Sequence, residues 1–218
     1  LNFNQWAAWN FDGDSRFKGG NVNAHILLHS NWSAGGGFNV EAAGIDDRAT
    51  RGGPGLRSKN GANLWYYVGS DDRKAVSGTW MSFMYRDEAR NWVWGFDPEI
   101  RYRPTSFLTL SGGIHFDRVN DEGQWVENVG EGPSTAYVFG KIRQTTVGLT
   151  ARCNYTITPN LTLQLYAQPF VSAGAYSDFK HVVKPRAPRY ADQFAPYPYQ
   201  GEPDFNYRSF RTTNVLRW

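Results

Sequence analysis

From Val147 onward the apolar residues fall on every second position: Val147, Leu149, Ala151, Cys153, Tyr155 and Ile157. Thr146, Gly148, Thr150, Arg152, Asn154 and Thr156 fill the places between them. After the turn Thr158-Pro159-Asn160 the pattern resumes, with Leu161, Leu163, Leu165 and Ala167 set against Thr162, Gln164, Tyr166 and Gln168. Successive side chains of a strand point to opposite faces. Two long runs of this kind joined by a tight turn predict a hairpin with one greasy and one wettable face, as in the wall of a β-barrel. The same period predicts further strands at residues 3–11, 21–32, 36–45, 64–69, 76–85, 92–102, 108–117, 124–129, 136–143 and 205–218. In the run 92–102, Trp92, Trp94, Phe96, Pro98, Ile100 and Tyr102 share one face, and Asp97, Glu99, Arg101 and Arg103 take the other. No segment shows a helical period. The expectation is an all-β chain, an antiparallel up-and-down barrel or open barrel segment of about 10–12 strands.

The predicted connections alternate in length. Those at 33–35, 71–74, 104–105 and 159–160 are short, and those at 12–19, 46–60, 119–133 and 177–204 are mostly long. Short turns on one side and longer loops on the other are the layout of an outer-membrane barrel. Residues 177–204 carry Pro185, Pro188, Pro196, Pro198 and Pro203, which exclude a central strand, beside Tyr190, Phe194, Tyr197 and Tyr199. A loop this long and aromatic is expected to pack over a barrel mouth. The alternative is a soluble β-sandwich that places the aromatics of 92–102 in a core and the charges in water.

Composition adjusts this picture only slightly. A mean hydropathy of −0.57 looks soluble, but a barrel alternates lipid-facing and lumen-facing residues and so averages polar. No run approaches the length of a transmembrane helix. The 9 Trp, 12 Tyr and 14 Phe suit interfacial girdles and equally the exposed aromatics of a carbohydrate-binding sandwich, such as Trp92, Trp94 and Trp125. The 23 basic and 20 acidic residues are interspersed, which leaves no basic footprint for nucleic acid. One cysteine, Cys153 on the apolar side of its strand, rules out an internal disulfide and reads as a small hydrophobe.

The candidate functional residues are those expected to line a wet lumen: Asn23, His25, His29, Glu41, Asp97, Glu99, Arg101, Arg103, His115, Arg152, Asn154 and Gln164. Their mixed charge would set permeation or ligand preference, or would simply pair off and fill the interior. His25 and His29 sit on one face of the run 21–32, roughly 13 Å apart along an extended strand, too far to share a metal. A site adding His115, Glu41 or Asp117 is weaker than a polar wall, and no metal or cofactor is expected. Asp46-Asp47 and Asp71-Asp72 read as solvated turns. Asp97 and Glu99 stand roughly 6–7 Å apart, near the spacing of a glycosidase pair, but Arg101 offers an ordinary ion-pair partner. No nucleophile elbow or phosphate loop is present, so no enzyme activity is expected.

Two motifs carry a resemblance. The stretch from Tyr155 through Thr158-Pro159-Asn160 to Pro169-Phe170, continuing to Tyr176-Ser177-Asp178-Phe179, and the stretch Asp204 to Trp218 resemble the C-terminal region of large Gram-negative proteins. Those proteins pair a family-9-type carbohydrate-binding domain with a domain of unknown function (5916); the Arg51-Gly52-Gly53-Pro54 loop is similar to one in that region. The resemblance implies a bacterial outer-membrane β-barrel of unestablished activity with membrane lipid as its surroundings. It links the chain to carbohydrate only through an N-terminal domain that this sequence lacks. It also implies a fragment cut from a larger barrel, because the family pattern continues past Trp218. No catalytic residue transfers from it.

Overall fold

Alternation of apolar and polar residues gives strands throughout the computed structural model, which describes all 218 residues. They are β1 (Asn2–Trp9), β2 (Ser15–Leu27), β3 (Ser33–Ala42), β4 (Ile45–Asp46), β5 (Leu56–Arg57), β6 (Gly61–Gly69), β7 (Val76–Asp87), β8 (Trp92–Thr105), β9 (Leu108–Val129), β10 (Ala136–Thr158), β11 (Leu161–Val182), β12 (Phe194–Pro196) and β13 (Phe205–Arg217). The strands β1, β2, β3, β6, β7, β8, β9, β10 and β11 lie side by side in that order, each pair antiparallel. Both β12 and β13 pair with the outer edge of β11, β12 at its upper end and β13 along its lower half. This makes one 11-stranded sheet, with β4 and β5 in a separate two-stranded ribbon. Because β1 and β13 do not pair, the sheet is an open barrel segment. A sandwich needs two sheets stacked about 10 Å apart; here one continuous sheet forms instead.

Several strands run further than their alternation suggests. Residues 119–133, read as a long connection holding only a short strand at 124–129, are mostly the upper part of β9, and the ladder to β10 continues through Phe139↔Trp125 to Ala136↔Val129. β11 likewise continues to Val182, and β2 begins at Ser15. In these upper segments both faces are polar or packed under loops, so the ladder persists where the contrast between faces has gone. In the other direction, β2 stops at Leu27. His29 lies in the turn that follows, closed by Leu28 N–H to Trp32 C=O at 2.8 Å and holding Asn31 at φ 60°. His29 therefore does not share a strand face with His25.

The two faces of the sheet differ sharply. On one lie Val22, Phe38, Leu64, Trp80, Trp94, Phe96, Ile100, Phe116, Leu149 and Leu165, with aromatic rings in contact across strands: Trp80–Phe96 at 5.3 Å, Phe96–Phe116 at 5.1 Å and Trp94–Phe116 at 5.2 Å. This face has no protein cover; Ile100 is 63% exposed and Leu149 44%. Only 19 of 218 residues are buried, and the buried hydrophobics Leu56, Val138, Phe139 and Ile142 lie near the upper end rather than in a conventional core.

The opposite face is concave and polar. Its aromatic rings lie down on glycines of the neighbouring strand. A Cβ on Gly37 would stand 2.7 Å from Trp65 Nε1, one on Gly35 2.5 Å from Tyr67 Cε1, and one on Gly95 2.7 Å from Phe83 Cζ. In each case the glycine is the aromatic's direct cross-strand partner. The absence of a side chain lets the ring lie flat against the sheet instead of filling the interior.

The long loops close over one end, as the aromatic segment 177–204 led us to expect. Arg57 N–H bonds to Pro185 C=O at 2.8 Å, and Gln193 Nε2 reaches Arg57 C=O at 3.2 Å. Arg186 grips Asp14 through two bonds of 2.9 and 2.7 Å. These contacts join the loop after β11 to the loops after β1 and β3, from far across the sheet, which fixes its curl.

Candidate functional site

A partly enclosed cavity of about 360 Å³ lies under these loops. Glu41, Tyr85, Val93 and Val119 enter it from four strands, and the segment Leu56–Lys59 and Tyr190 roof it. Lys59 Nζ pairs with Asp121 at 3.3 Å, and Lys141 with Glu122 at 2.8 Å. Two ammonium groups lie over the Tyr190 ring, Lys59 at 4.8 Å and Lys180 at 5.0 Å from its centroid. Burial pushes the Lys180 ammonium down from its usual range, and burial followed by Asp121 pushes the Tyr190 phenol up. The Tyr190 hydroxyl is buried without a partner. Gly123 lies against it, where any Cβ would collide with the phenol oxygen. The cluster pairs two of its three ammonium groups with carboxylates and holds the roof in place.

Below the cavity the concave face carries most of the residues read from the sequence as lumen-lining. Asp97, Glu99, Arg101 and Arg103 do share that face of β8. His115 on β9 bridges two carboxylates, Asp97 at 2.5 Å and Asp117 at 2.9 Å, and Arg101 lies 3.6 Å from Glu99. Both carboxylates of the conceivable glycosidase pair therefore have a partner. No group of three or more His, Cys, Asp or Glu side chains is arranged to hold a metal ion. Arg152, Asn154 and Gln164 come together with Tyr166, Thr213 and Val215 around a shallow recess, where Arg152 stacks its guanidinium 5.0 Å from the Tyr166 ring. Glu41 belongs to the roofed cavity, and Asn23 and His25 face the concave side from β2. His29 alone is elsewhere, in its turn.

The other half of the concave wall is chemically different, and the sequence reading named little of it. Asn4, Asn21, Asn39 and Asn63 form one unbroken cross-strand row over β1, β2, β3 and β6. Asn4 Nδ2 donates to Asn21 at 2.8 Å, Asn2 to Asn23 at 3.0 Å, and Asn39 to Asn63. One step below lie Trp65 and Tyr67, their planes within 5°, with the His25 ring 5.7 and 5.8 Å from them and its Nδ1 3.2 Å from the Tyr67 hydroxyl. The wall thus divides into a neutral half of amides and flat aromatics on β1 to β6 and a charged half on β8 to β11. The spacing Asn2-x-Asn4 and Asn21-x-Asn23 was a usable signal; their alignment with Asn39 and Asn63 emerges only from the register.

A family model described as a domain of unknown function (DUF5916) matches residues 4–218, nearly the whole chain. The chain belongs to that family. The resemblance carried by the Thr158-Pro159-Asn160 hairpin and the Asp204–Trp218 segment is thereby established. Neither a curated protein nor a solved structure matches it.

Proposed function

We propose that this domain forms wall of a bacterial outer-membrane β-barrel, serving as a pore or envelope scaffold, and that its concave face is a water-filled passage for hydroxyl-rich solutes such as carbohydrates. The observation that supports this best is the single sheet with an uncovered apolar face and a polar concave one. Leaving Ile100, Leu149 and their neighbours in water would expose far more contiguous apolar surface than a soluble monomer carries, whereas lipid accepts it without cost. The carbohydrate reading draws on the neutral half-wall. Flat rings such as Trp65 offer faces to the C–H side of a sugar ring, and Asn amides retain donors and acceptors beyond those spent in the row.

Planar-bilayer recording on the protein carrying this domain tests the reading. Stepwise conductance, transiently blocked by a neutral linear oligosaccharide on the aqueous side and less so after Trp65→Ala, is the expected result. A protein that is monodisperse without detergent and gives no conductance contradicts it.

A further inference from the structure

Tracing the apolar face upward strand by strand brings out a boundary. Lys18 lies nine residues above Leu27, the short-turn end of β2. Arg86 lies ten above Val76 at the start of β7, and Arg118 ten above Leu108 at the start of β9. Arg208 lies nine above Arg217 at the end of β13. All four point outward, because their cross-strand partners do: Lys18 faces Ala42, Arg86 faces Ala62 and Trp92, Arg118 faces Trp94, and Arg208 faces Val171. All four are exposed, and none takes part in any of the chain's salt bridges.

That height has a physical meaning. A tilted strand needs about 9–11 residues to cross the hydrocarbon layer. Side chains nine or ten residues above the short turns therefore stand where hydrocarbon gives way to headgroups, on the long-loop side. The outward face of the paired strands carries no Asp or Glu between the short turns and this level. Below it are Trp80, Phe96, Ile100 and Leu110, and beside it Trp92 and Trp94 mark the interface with amphipathic rings. A positive rim with no acidic residues in it is complementary to one kind of occupant, a negatively charged headgroup.

The geometry points to a lipid-binding rim in which Lys18, Arg86, Arg118 and Arg208 hold anionic phosphate-bearing headgroups of the leaflet on the long-loop side. This rests on the membrane reading above and adds to it the side of the bilayer, the residues and the chemistry. Guanidinium groups bind phosphate oxygens in pairs, so the three arginines supply orientation as well as charge. Long basic side chains also extend along the strand toward the headgroups while their stems stay in the apolar layer.

The test places the chain in phosphatidylcholine bilayers containing a minor fraction of phosphatidic acid, each lipid spin-labelled in turn, and measures the fraction immobilised at the protein surface. The native chain should select phosphatidic acid over phosphatidylcholine, and high salt should abolish the selection. Replacing all four residues with Gln should lower it by about fivefold per side chain removed, as for basic residues at an anionic surface. Arg→Lys at the three arginines should retain most of it. Insertion without selection, or selection untouched by the Gln substitutions, overturns this inference and leaves the membrane reading standing. Failure to enter even pure phosphatidylcholine overturns both. Should the Gln variant fail to insert while the native chain does, the salt dependence decides, because selection that persists in high salt refutes a charged rim.

Discussion

Substituting Gly37 with alanine tests whether the concave aromatics hold the sheet together by lying on glycines. The added Cβ would stand 2.7 and 2.8 Å from Trp65 Nε1 and Cε2 and 2.9 Å from Asn23 Cβ. All three belong to groups with little freedom to retreat: the indole lies against the sheet, and Asn23 is bonded to Asn2 and Asn21. Overpacking of this kind costs about 1–3 kcal/mol. Against it stands a gain of about 0.5–1 kcal/mol from the reduced freedom of the unfolded chain. The net prediction is a loss of up to about 2.5 kcal/mol. Gly112→Ala is the internal control, since its nearest neighbour would be the Thr150 carbonyl at 3.8 Å; it should be neutral or stabilising by up to about 1 kcal/mol. Urea unfolding in detergent micelles followed by tryptophan emission reads both. Adding Trp65→Ala to Gly37→Ala should recover part of the loss, since the clash goes with the ring. Equal midpoints for the Gly37 and Gly112 variants would refute the reasoning.

Two further outcomes follow from the mouth. Removing the Arg186–Asp14 clasp with Arg186→Ala should speed amide exchange in residues 183–196 several-fold and leave the global midpoint unchanged, because an exposed pair contributes little overall but fixes a local loop; equal exchange in both proteins would show that the clasp is idle. Glu122, fourteen residues above the start of β9 and so beyond the proposed lipid layer, is pushed up by burial but drawn down more by Lys141, whose ammonium bonds it at 2.8 Å, and the Asn120 amide together; its net value lies below the usual carboxylate range. The folded state therefore takes up this proton at lower pH than the unfolded chain does, so its contribution is complete above about pH 4.3 and fades as the pH falls through the folded value. Emission from Trp125, followed during thermal unfolding at stepped pH, should show this acid weakening, and Lys141→Gln should reduce it; an unchanged acid profile in that variant would contradict the assignment.

The part of the fold legible from sequence is the part where the two faces differ in polarity. The hairpin read from residues 145–168 pairs as expected, with Tyr155 opposite Leu163 and Cys153 opposite Leu165, because an apolar face and a polar face impose a strict period of two. Above Arg118 that contrast ends. Residues 119–123 of β9 and 177–182 of β11 then look like loop in sequence although their ladders continue, while 124–129 and 136–143 keep enough alternation to be read as strands. Asp97 and Arg152 were placed correctly on the concave face by parity alone. His29 was misplaced because the same parity runs past Leu27 without marking the turn. The mouth cluster was out of reach, since Lys59, Asp121 and Tyr190 are brought together only by the curl of the whole sheet. The clasp of Trp65 on Gly37 likewise requires the register between β3 and β6.

The central claim is that the apolar face meets lipid and the concave face meets water, and Cys153 offers a native probe of it. This lone thiol lies on the apolar face of β10, five residues above the short-turn end at Thr158 and thus mid-layer. The measurement is labelling by a membrane-impermeant maleimide in bilayers, with Cys153 compared against Asn154→Cys in a Cys153→Ser background. The account predicts that Cys153 is protected in lipid and Asn154→Cys, one residue away on the opposite face, is labelled. Rapid labelling at Cys153 with protection at position 154 would invert the faces and contradict the account.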